Sequence, residues 1–304
     1  MTAEDRSTPA PTAPPALDHW SALLDLALAE DIGPGDLTSD AVIDVGRTGR
    51  ARVEARMPLV VCGLPIVEEV FRRVDPALAI EPVPVRRDGT RAVAGDVLLR
   101  VHGSYASILT AERTALNFLG RLCGIASQTR RLVDRVADCA TELVDTRKTT
   151  PGWRMLEKYA VAVGGGTNHR IGLFDALLVK DNHIAAAGGL DAAVERALSG
   201  APAGVAVQVE VESESMADRA IALGCRFLLL DNLDPDTIRR IVEKHSASVL
   251  LEASGGIGPD NVRDYAETGV ARISMGALTH SVGSADVALE IDLMPADASP
   301  GGTP

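Results

Sequence analysis

The chain is short of positive charge: its 304 residues carry 30 Lys and Arg against 42 Asp and Glu, a formal net charge of −12. A general nucleic-acid coat or a polybasic membrane binder needs the opposite balance, so both are excluded. Aromatic residues make up only 3%, which leaves little for the stacking platforms that hold single-stranded nucleic acid. No apolar run approaches the roughly 18 residues of a membrane span. The N-terminus is acidic and Pro-rich and lacks a basic-then-apolar export signal, so a cytoplasmic protein is expected. Cys62, Cys123, Cys139 and Cys225 are scattered, with no C-x-x-C pair; free thiols in a reducing compartment fit this better than a disulfide or zinc framework. No G-x-G-x-x-G follows a strand candidate, which weakens a dinucleotide-binding reading.

What is present is ordinary globular material, 46% apolar and 24% charged. At about 100–200 residues per domain, the length predicts two domains. Residues 1–16 and 295–304, rich in Pro, Thr, Ala and Gly, read as disordered tails. From Leu17 a helical pattern with Leu23, Leu24, Leu26, Ala27 and Leu28 runs to the breaker cluster Asp31–Gly35. Strand-like stretches follow at Arg50–Arg56, Leu59–Cys62, Ile80–Val85 and Val97–Val101, interrupted by a helix at Pro65–Val74. Strands and helices mixed without regular alternation predict an α+β domain. A helix over Ala106–Leu122, closed by Gly124 in the C′ position, and a second over Ala126–Val136 complete this part.

The remainder has a different rhythm. Six apolar or β-branched stretches, Thr141–Asp145, Ala176–Val179, Val205–Val211, Phe227–Leu230, Val249–Leu251 and Ala271–Met275, end in polar residues. Helical segments lie between them, among them Leu190–Leu198, Ser215–Leu223, Asp236–His245 and Pro259–Thr268. This alternation predicts a parallel α/β sheet, either a barrel or a doubly wound open sheet; periodicity alone does not separate the two.

In parallel α/β folds, chemistry sits at the carboxyl ends of the strands. The first two ends carry cations, Thr146-Arg147-Lys148 and Lys180. The next three carry carboxylates, Glu210 with Glu212, Asp231, and Glu252 followed by Ser254-Gly255-Gly256. The sixth ends in Ser274-Met275-Gly276. The flexible loop Gly164-Gly165-Gly166 leads into His169 and Arg170. Arg113 stands four residues after Leu109 and three before Leu116, on what reads as the apolar face of its helix, where it needs an anion, a ligand or another subunit. Local positive charge in an acidic protein points to a small polyanion. Arg suits bidentate capture of carboxylate or phosphate, and Lys acts as a point charge. The carboxylates suit Mg²⁺ shared with substrate phosphates, or sugar hydroxyls. The Gly and Ser strand ends suit phosphate held by backbone N–H groups. Taken singly, each of these residues is more often a solvated loop charge, a hinge or a cap; Asp181 and Glu212 read as structural partners and His183 as a packing or capping residue.

The run Leu109-Thr110-Ala111-Glu112-Arg113-Thr114-Ala115-Leu116-Asn117, with Cys123-Gly124-Ile125-Ala126, resembles the quinolinate phosphoribosyltransferase family. The likeness continues through Asp145–Gly152, Gly165–Arg170, Leu178–His183, Glu210–Glu212, Leu230–Asn232, Glu252–Gly256 and Ser274–Gly276. Glu30–Gly33 and Gly35–Thr38 fit its N-terminal segment. The resemblance implies a type II phosphoribosyltransferase fold. An N-terminal α/β sandwich over residues 17–122, joined by about 283–294, accompanies an incomplete six- or seven-stranded α/β barrel over 123–282. It implies transfer of phosphoribosyl from 5-phosphoribosyl-1-pyrophosphate to quinolinate, with Mg²⁺ and loss of CO₂, in NAD biosynthesis. It also implies a homodimer, sometimes assembled further, in which Arg113 enters the neighbouring subunit's site.

On that resemblance Arg113, Arg147, His169 and Arg170 face the quinolinate carboxylates, and Lys148 and Lys180 the donor phosphates. Glu210 and Asp231 take ribose hydroxyls or Mg²⁺. Ser254, Gly255, Gly256 and Gly276 hold the 5-phosphate, with Thr146 and Ser274 completing the substrate-binding set. Three rivals are weighed against this: a phosphoribosyltransferase for a pyridine such as nicotinate, a Schiff-base lyase using Lys180, and a non-catalytic sensor of anionic metabolites.

Overall fold

The computed structural model describes residues 13–83 and 87–292; residues 1–12 of the predicted 1–16 tail, the predicted tail 295–304 and the end of the predicted Ile80–Val85 strand lie outside them. The chain divides into two compact units. One runs to Ser127 and resumes at Gly283; the other holds Gln128–Val282.

In the first unit a four-stranded antiparallel sheet has the order Val287–Asp292, Thr48–Ala55, Val97–Ser104, Ala79–Pro82. Alternation in Thr48–Ala55 buries Ala51, Val53 and Ala55 completely. Ala51 is registered against Val101 on one side and Ile291 on the other. The helix Leu64–Val74 places Ile66, Val67, Val70 and Phe71 on one fully buried stripe. The first helix, Ser21–Ile32, buries only Leu24, and Leu26 is exposed. The apolar face expected there does not form a core contact as a block. At 100° per residue its leucines point to different sides.

The two predicted helices around Gly124 are a single 31-residue helix, Tyr105–Arg135. Gly124 is not a cap. A Cβ there would stand 2.3 Å from the carbonyl oxygen of Gly283, and one turn earlier the carbonyl of Gly120 accepts the N–H of Ala285 at 2.8 Å. These glycines let a returning strand of backbone lie against the helix.

The second unit holds six strands: β1 (Glu142–Val144), β2 (Leu177–Val179), β3 (Val207–Val211), β4 (Phe227–Asp231), β5 (Leu250–Ser254) and β6 (Arg272–Ser274). All pairs are parallel, in the order β1-β6-β5-β4-β3-β2. A doubly wound sheet reverses its strand order at a switch point. Here each strand follows its chain neighbour around the sheet, and only β1 and β2 stay unpaired with each other. This is an α/β barrel left open at one seam.

The period of two sorts the side chains. Val209, Leu228, Leu230, Ala253 and Ile273 are fully buried, while Gln208, Glu210, Asp231, Glu252 and Ser274 alternate with them on the other face. The barrel interior is therefore polar. Helices between the strands start on side-chain caps, Ser213 for Glu214–Ala222 and Asp234 for Pro235–His245. The sequence reading left out the helix Arg154–Val163, in which Glu157 and Lys158 are buried along with Leu156, Tyr159, Ala160 and Val161.

A helical Gly→Ala change normally gains about 1 kcal/mol. At position 124 the clash with Gly283 reverses the sign: Gly124→Ala is expected to destabilise by about 1–2 kcal/mol in urea unfolding. An increase in stability would contradict the close backbone approach.

Candidate active site

A cavity of about 570 Å³ opens at the carboxyl ends of the barrel strands. Thr146, Arg147 and Lys148 line it after β1, and Lys180 after β2. Glu210 of β3 and Asp231 of β4 enter from the next strands. Ser254, Gly255 and Gly256 follow β5; Ser274 and Gly276 follow β6. His169 and Arg170 reach the same space from the glycine loop.

The glycine-rich side is shaped by backbone geometry. Asn232 has a left-handed backbone, φ 54°, and its N–H donates to the carbonyl of Ser254 at 2.9 Å. A Cβ on Gly255, φ 90°, would lie 2.2 Å from the Asn232 side-chain oxygen. Gly256, φ 63°, has open space on the Cβ side. A Cβ on Gly276 would meet His280 at 2.8 Å and the Lys148 stem at 3.0 Å. Without side chains at these turns, backbone N–H groups can approach an anion closely.

The opposite side is cationic. Lys180 Nζ donates to Glu210 Oε2 at 2.9 Å, which holds both side chains across neighbouring strands. The Nε atoms of Arg147 and Arg170 are buried and have no hydrogen-bond partner. Burial first, and then the nearby charge of Arg147, push the Arg170 guanidinium below its usual value. Arg170 Nη1 donates to the Ala176 carbonyl at 3.1 Å, and the two unpartnered Nε–H groups are costly unless an anion meets them.

Beneath them lies a buried anchor. Asp145, fully buried, accepts from Lys158 Nζ, from Asn168 Nδ2 at 2.7 Å and from the His169 N–H at 2.8 Å. Lys158 also donates to the His169 carbonyl at 2.9 Å. Burial raises the Asp145 carboxyl and lowers the Lys158 ammonium, each offset by the other's charge. The network ties the glycine loop to the end of β1. It also fixes His169: Nδ1 accepts the Arg170 N–H at 2.8 Å, and Nε2 lies 2.9 Å from Gln208 Oε1. With Nδ1 an acceptor, the proton belongs on Nε2 and the ring is uncharged; burial pushes the imidazole below its usual value. His169 thus stands at the cavity as a neutral group, not as the cation expected from its position.

Arg113 belongs to the other unit. Its side chain is 64% exposed, with Glu112 at 4.0 Å. The expected buried position on an apolar face is wrong. The buried stripe of the helix is Ile108, Ala111, Ala115, Phe118, Leu119 and Leu122, and Arg113 shares its side with exposed Asn117. His183 caps, accepting the Lys180 N–H on Nδ1 at 3.0 Å. Among the described residues no cluster of three or more His, Cys, Asp or Glu could hold a metal ion by itself, all four cysteines are free, and no helix is long and apolar enough to cross a membrane.

Residues 36–123 match the model of the quinolinate phosphoribosyl transferase N-terminal domain, and residues 125–290 that of the C-terminal domain. The chain belongs to the quinolinate phosphoribosyltransferase family. It is 41% identical over 271 residues to a probable nicotinate-nucleotide pyrophosphorylase [carboxylating] of Bacillus subtilis, covering 89% of this chain and 93% of the relative. Against the nicotinate-nucleotide pyrophosphorylase [carboxylating] of Mycobacterium leprae the identity is 40% over 273 residues, covering 87% and 94%. The solved structure of the nicotinate-nucleotide pyrophosphorylase from Francisella tularensis superposes with a TM-score of 0.87 at 38% identity, covering 91% of this chain and 97% of that one.

Within this quinolinate phosphoribosyltransferase chain, several cavity residues went unassigned in the sequence reading. Asn232, Leu229, Ile257 and His280 line the space beside Glu252, which was read only as a strand-end carboxylate, and Gln208 orients His169. Period-two alternation along β3 could have found Gln208. Nothing local marks His280, which arrives on the short helix Ala277–His280.

Breaking the anchor strands a buried charge. Lys158→Met is expected to cost about 3–5 kcal/mol in thermal or urea unfolding, and the double change Lys158→Met with Asp145→Leu to recover part of it. Equal stability of Lys158→Met and the unaltered protein would remove the anchor from the account.

Proposed function

We propose that the chain transfers phosphoribosyl from 5-phosphoribosyl-1-pyrophosphate to quinolinate, releasing pyrophosphate and CO₂ and forming nicotinate mononucleotide. One observation carries the reading: Arg147 and Arg170, whose buried Nε atoms lack a partner, line the same cavity as the open glycine turns at Gly255 and Gly256. The first pair suits two carboxylates on one ring. The second suits the donor's 5-phosphate, with Ser254, Ser274 and Gly276 alongside and Thr146 beside Lys148. Nicotinate, with one carboxylate, would leave one guanidinium unmatched. A Schiff-base role for Lys180 is disfavoured because its Nζ is tied to Glu210 at 2.9 Å and not presented alone to a carbonyl carbon.

The C1–O bond of the donor breaks, pyrophosphate leaves with the electron pair, and the pyridine nitrogen lone pair closes the C1–N bond. Lys148 and Lys180 offset charge on the departing phosphates. Glu210 and Asp231 hold ribose hydroxyls and steady positive charge at C1. The nitrogen is then cationic, so the pair left on the adjacent ring carbon when CO₂ departs is stabilised, and a lysine or water returns a proton there. Glu210 and Asp231 supply hard oxygen donors too few for an all-protein cage, which fits Mg²⁺ shared with substrate oxygens; bound there, it would neutralise the pyrophosphate.

We further read the enzyme as a homodimer with shared sites, in a reducing cytoplasm that suits its free thiols. Exposed Leu26, Leu37, Val42 and Val45 in the first unit favour assembly, and exposed Arg113 is free to act in a neighbouring subunit.

Assays with quinolinate, with and without the donor, should yield nucleotide and CO₂ only with it, and nicotinate should give little product. Arg147→Ala and Lys148→Ala should each lower kcat/KM by about 10²-fold or more with unchanged unfolding. Near-full activity in either removes its role. Mixing inactive Arg113→Ala with inactive Lys148→Ala under subunit exchange should restore about a quarter of full activity, as a two-fold dimer with one intact shared site requires. No recovery contradicts the shared site.

A further inference from the structure

The barrel interior holds a carboxyl that the roles above leave unused. Asp145 has three donors and Glu210 has Lys180. Glu157 accepts the Thr150 N–H at 3.1 Å and the Thr150 hydroxyl at 2.9 Å. Glu252 is fully buried, lines the cavity, and has no hydrogen bond on either carboxyl oxygen.

Its surroundings offer no counter-ion. His169 Nε2 is 3.5 Å from Oε1, but that ring is uncharged and its proton is directed to Gln208. Gln208 from β3 and Ser274 from β6 face it as uncharged donors that favour its ionised form, an effect that burial outweighs. Asp145 adds negative charge, itself matched to Lys158. The guanidinium acting on it, Arg272, is engaged with Glu142 at 3.2 Å and stacked over Phe227. An ionised carboxylate buried without a partner is strongly disfavoured, and such a group keeps its proton instead.

We propose that Glu252 determines specificity at this site: it stands beneath the cavity as an uncharged carboxylic acid, and a dianionic substrate is admitted only while it does. The inference rests on the quinolinate reading above. Burial raises the Glu252 carboxyl above its ordinary value, in the direction required. As pH rises through that raised value the proton is lost and a negative charge appears under the Arg147–Arg170 pair. At low local dielectric it opposes a dianion directly. The same proton is held by the native state and released by the unfolded chain, so stability also falls as pH rises through this window.

Three measurements on the full chain test this. The infrared difference between wild type and Glu252→Gln, without substrate, should contain the carbonyl band of a protonated carboxylic acid that disappears as pH rises. The KM for quinolinate at saturating donor should rise, approaching about tenfold per pH unit above the raised value, in wild type and stay within about threefold in Glu252→Gln. The melting temperature of Glu252→Gln should gain on wild type as pH rises; Glu252→Met serves as a second uncharged variant. Absence of the band at neutral pH, or the same KM profile in wild type and both uncharged variants, overturns the proposal. If the band is present but no variant uses quinolinate at any pH, the substrate reading fails, and the proposed role in admitting a dianion fails with it.

Discussion

Asp145 organises the site. It ends β1 at zero exposure and receives Lys158, Asn168 and the backbone of His169, so one carboxylate joins a strand, a buried helix and the glycine loop. Everything cationic near it inherits its position from that junction. Arg147 follows two residues later on the same strand end, and Arg170 follows His169 on the loop. A buried ion pair is a poor source of stability in itself. Its value here is geometric: it makes two guanidinium groups converge in a protein whose net charge of −12 would not otherwise gather cations.

The barrel then divides labour by strand end. Cations come from β1, β2 and the loop, carboxylates from β3 and β4, and open backbone from the turns after β5 and β6. This order follows the strand sequence around the sheet, so the cationic, acidic and open-backbone groups line one cavity without any long excursion of the chain. The open seam between β1 and β2 lies where both neighbouring strand ends are cationic. Burying polar residues inside the barrel is tolerated because most have partners: Gln208 meets His169 and Glu210 meets Lys180. Among the described residues, the buried side-chain atoms left without a partner belong to Arg147, Arg170 and Glu252, which line the cavity, and to Gln208 and Thr129, which do not.

Much of this was legible beforehand, for physical reasons. Continuous apolar strands with polar ends marked six barrel strands, and the cation-rich strand ends marked the mouth. The choice between barrel and open sheet was not legible, because strand order is a tertiary fact that no local period encodes. Gly124 looked like a helix stop because its reason for being glycine, the carbonyl of Gly283, lies far away in sequence. Arg113 looked buried because Leu109 and Leu116 flank it, yet the stripe that enters the core runs one residue away. The helix Arg154–Val163 went unassigned although Arg154, Glu157 and Lys158 share one side of it; the last two are buried with partners at Thr150 and Asp145. His169 was read as a cation from its residue type alone. Its charge is set by a backbone N–H and by Gln208, 39 residues distant.

The central claim is that paired guanidinium edges await a doubly ionised ring. The most direct measurement is a crystal structure with quinolinate bound. The account predicts one carboxylate oxygen at about 2.7–2.9 Å from a guanidinium nitrogen of Arg147 and another at the same distance from one of Arg170, as charge-assisted bonds require. Quinolinate lodged elsewhere, or both guanidinium groups still uncontacted beside it, would contradict the account.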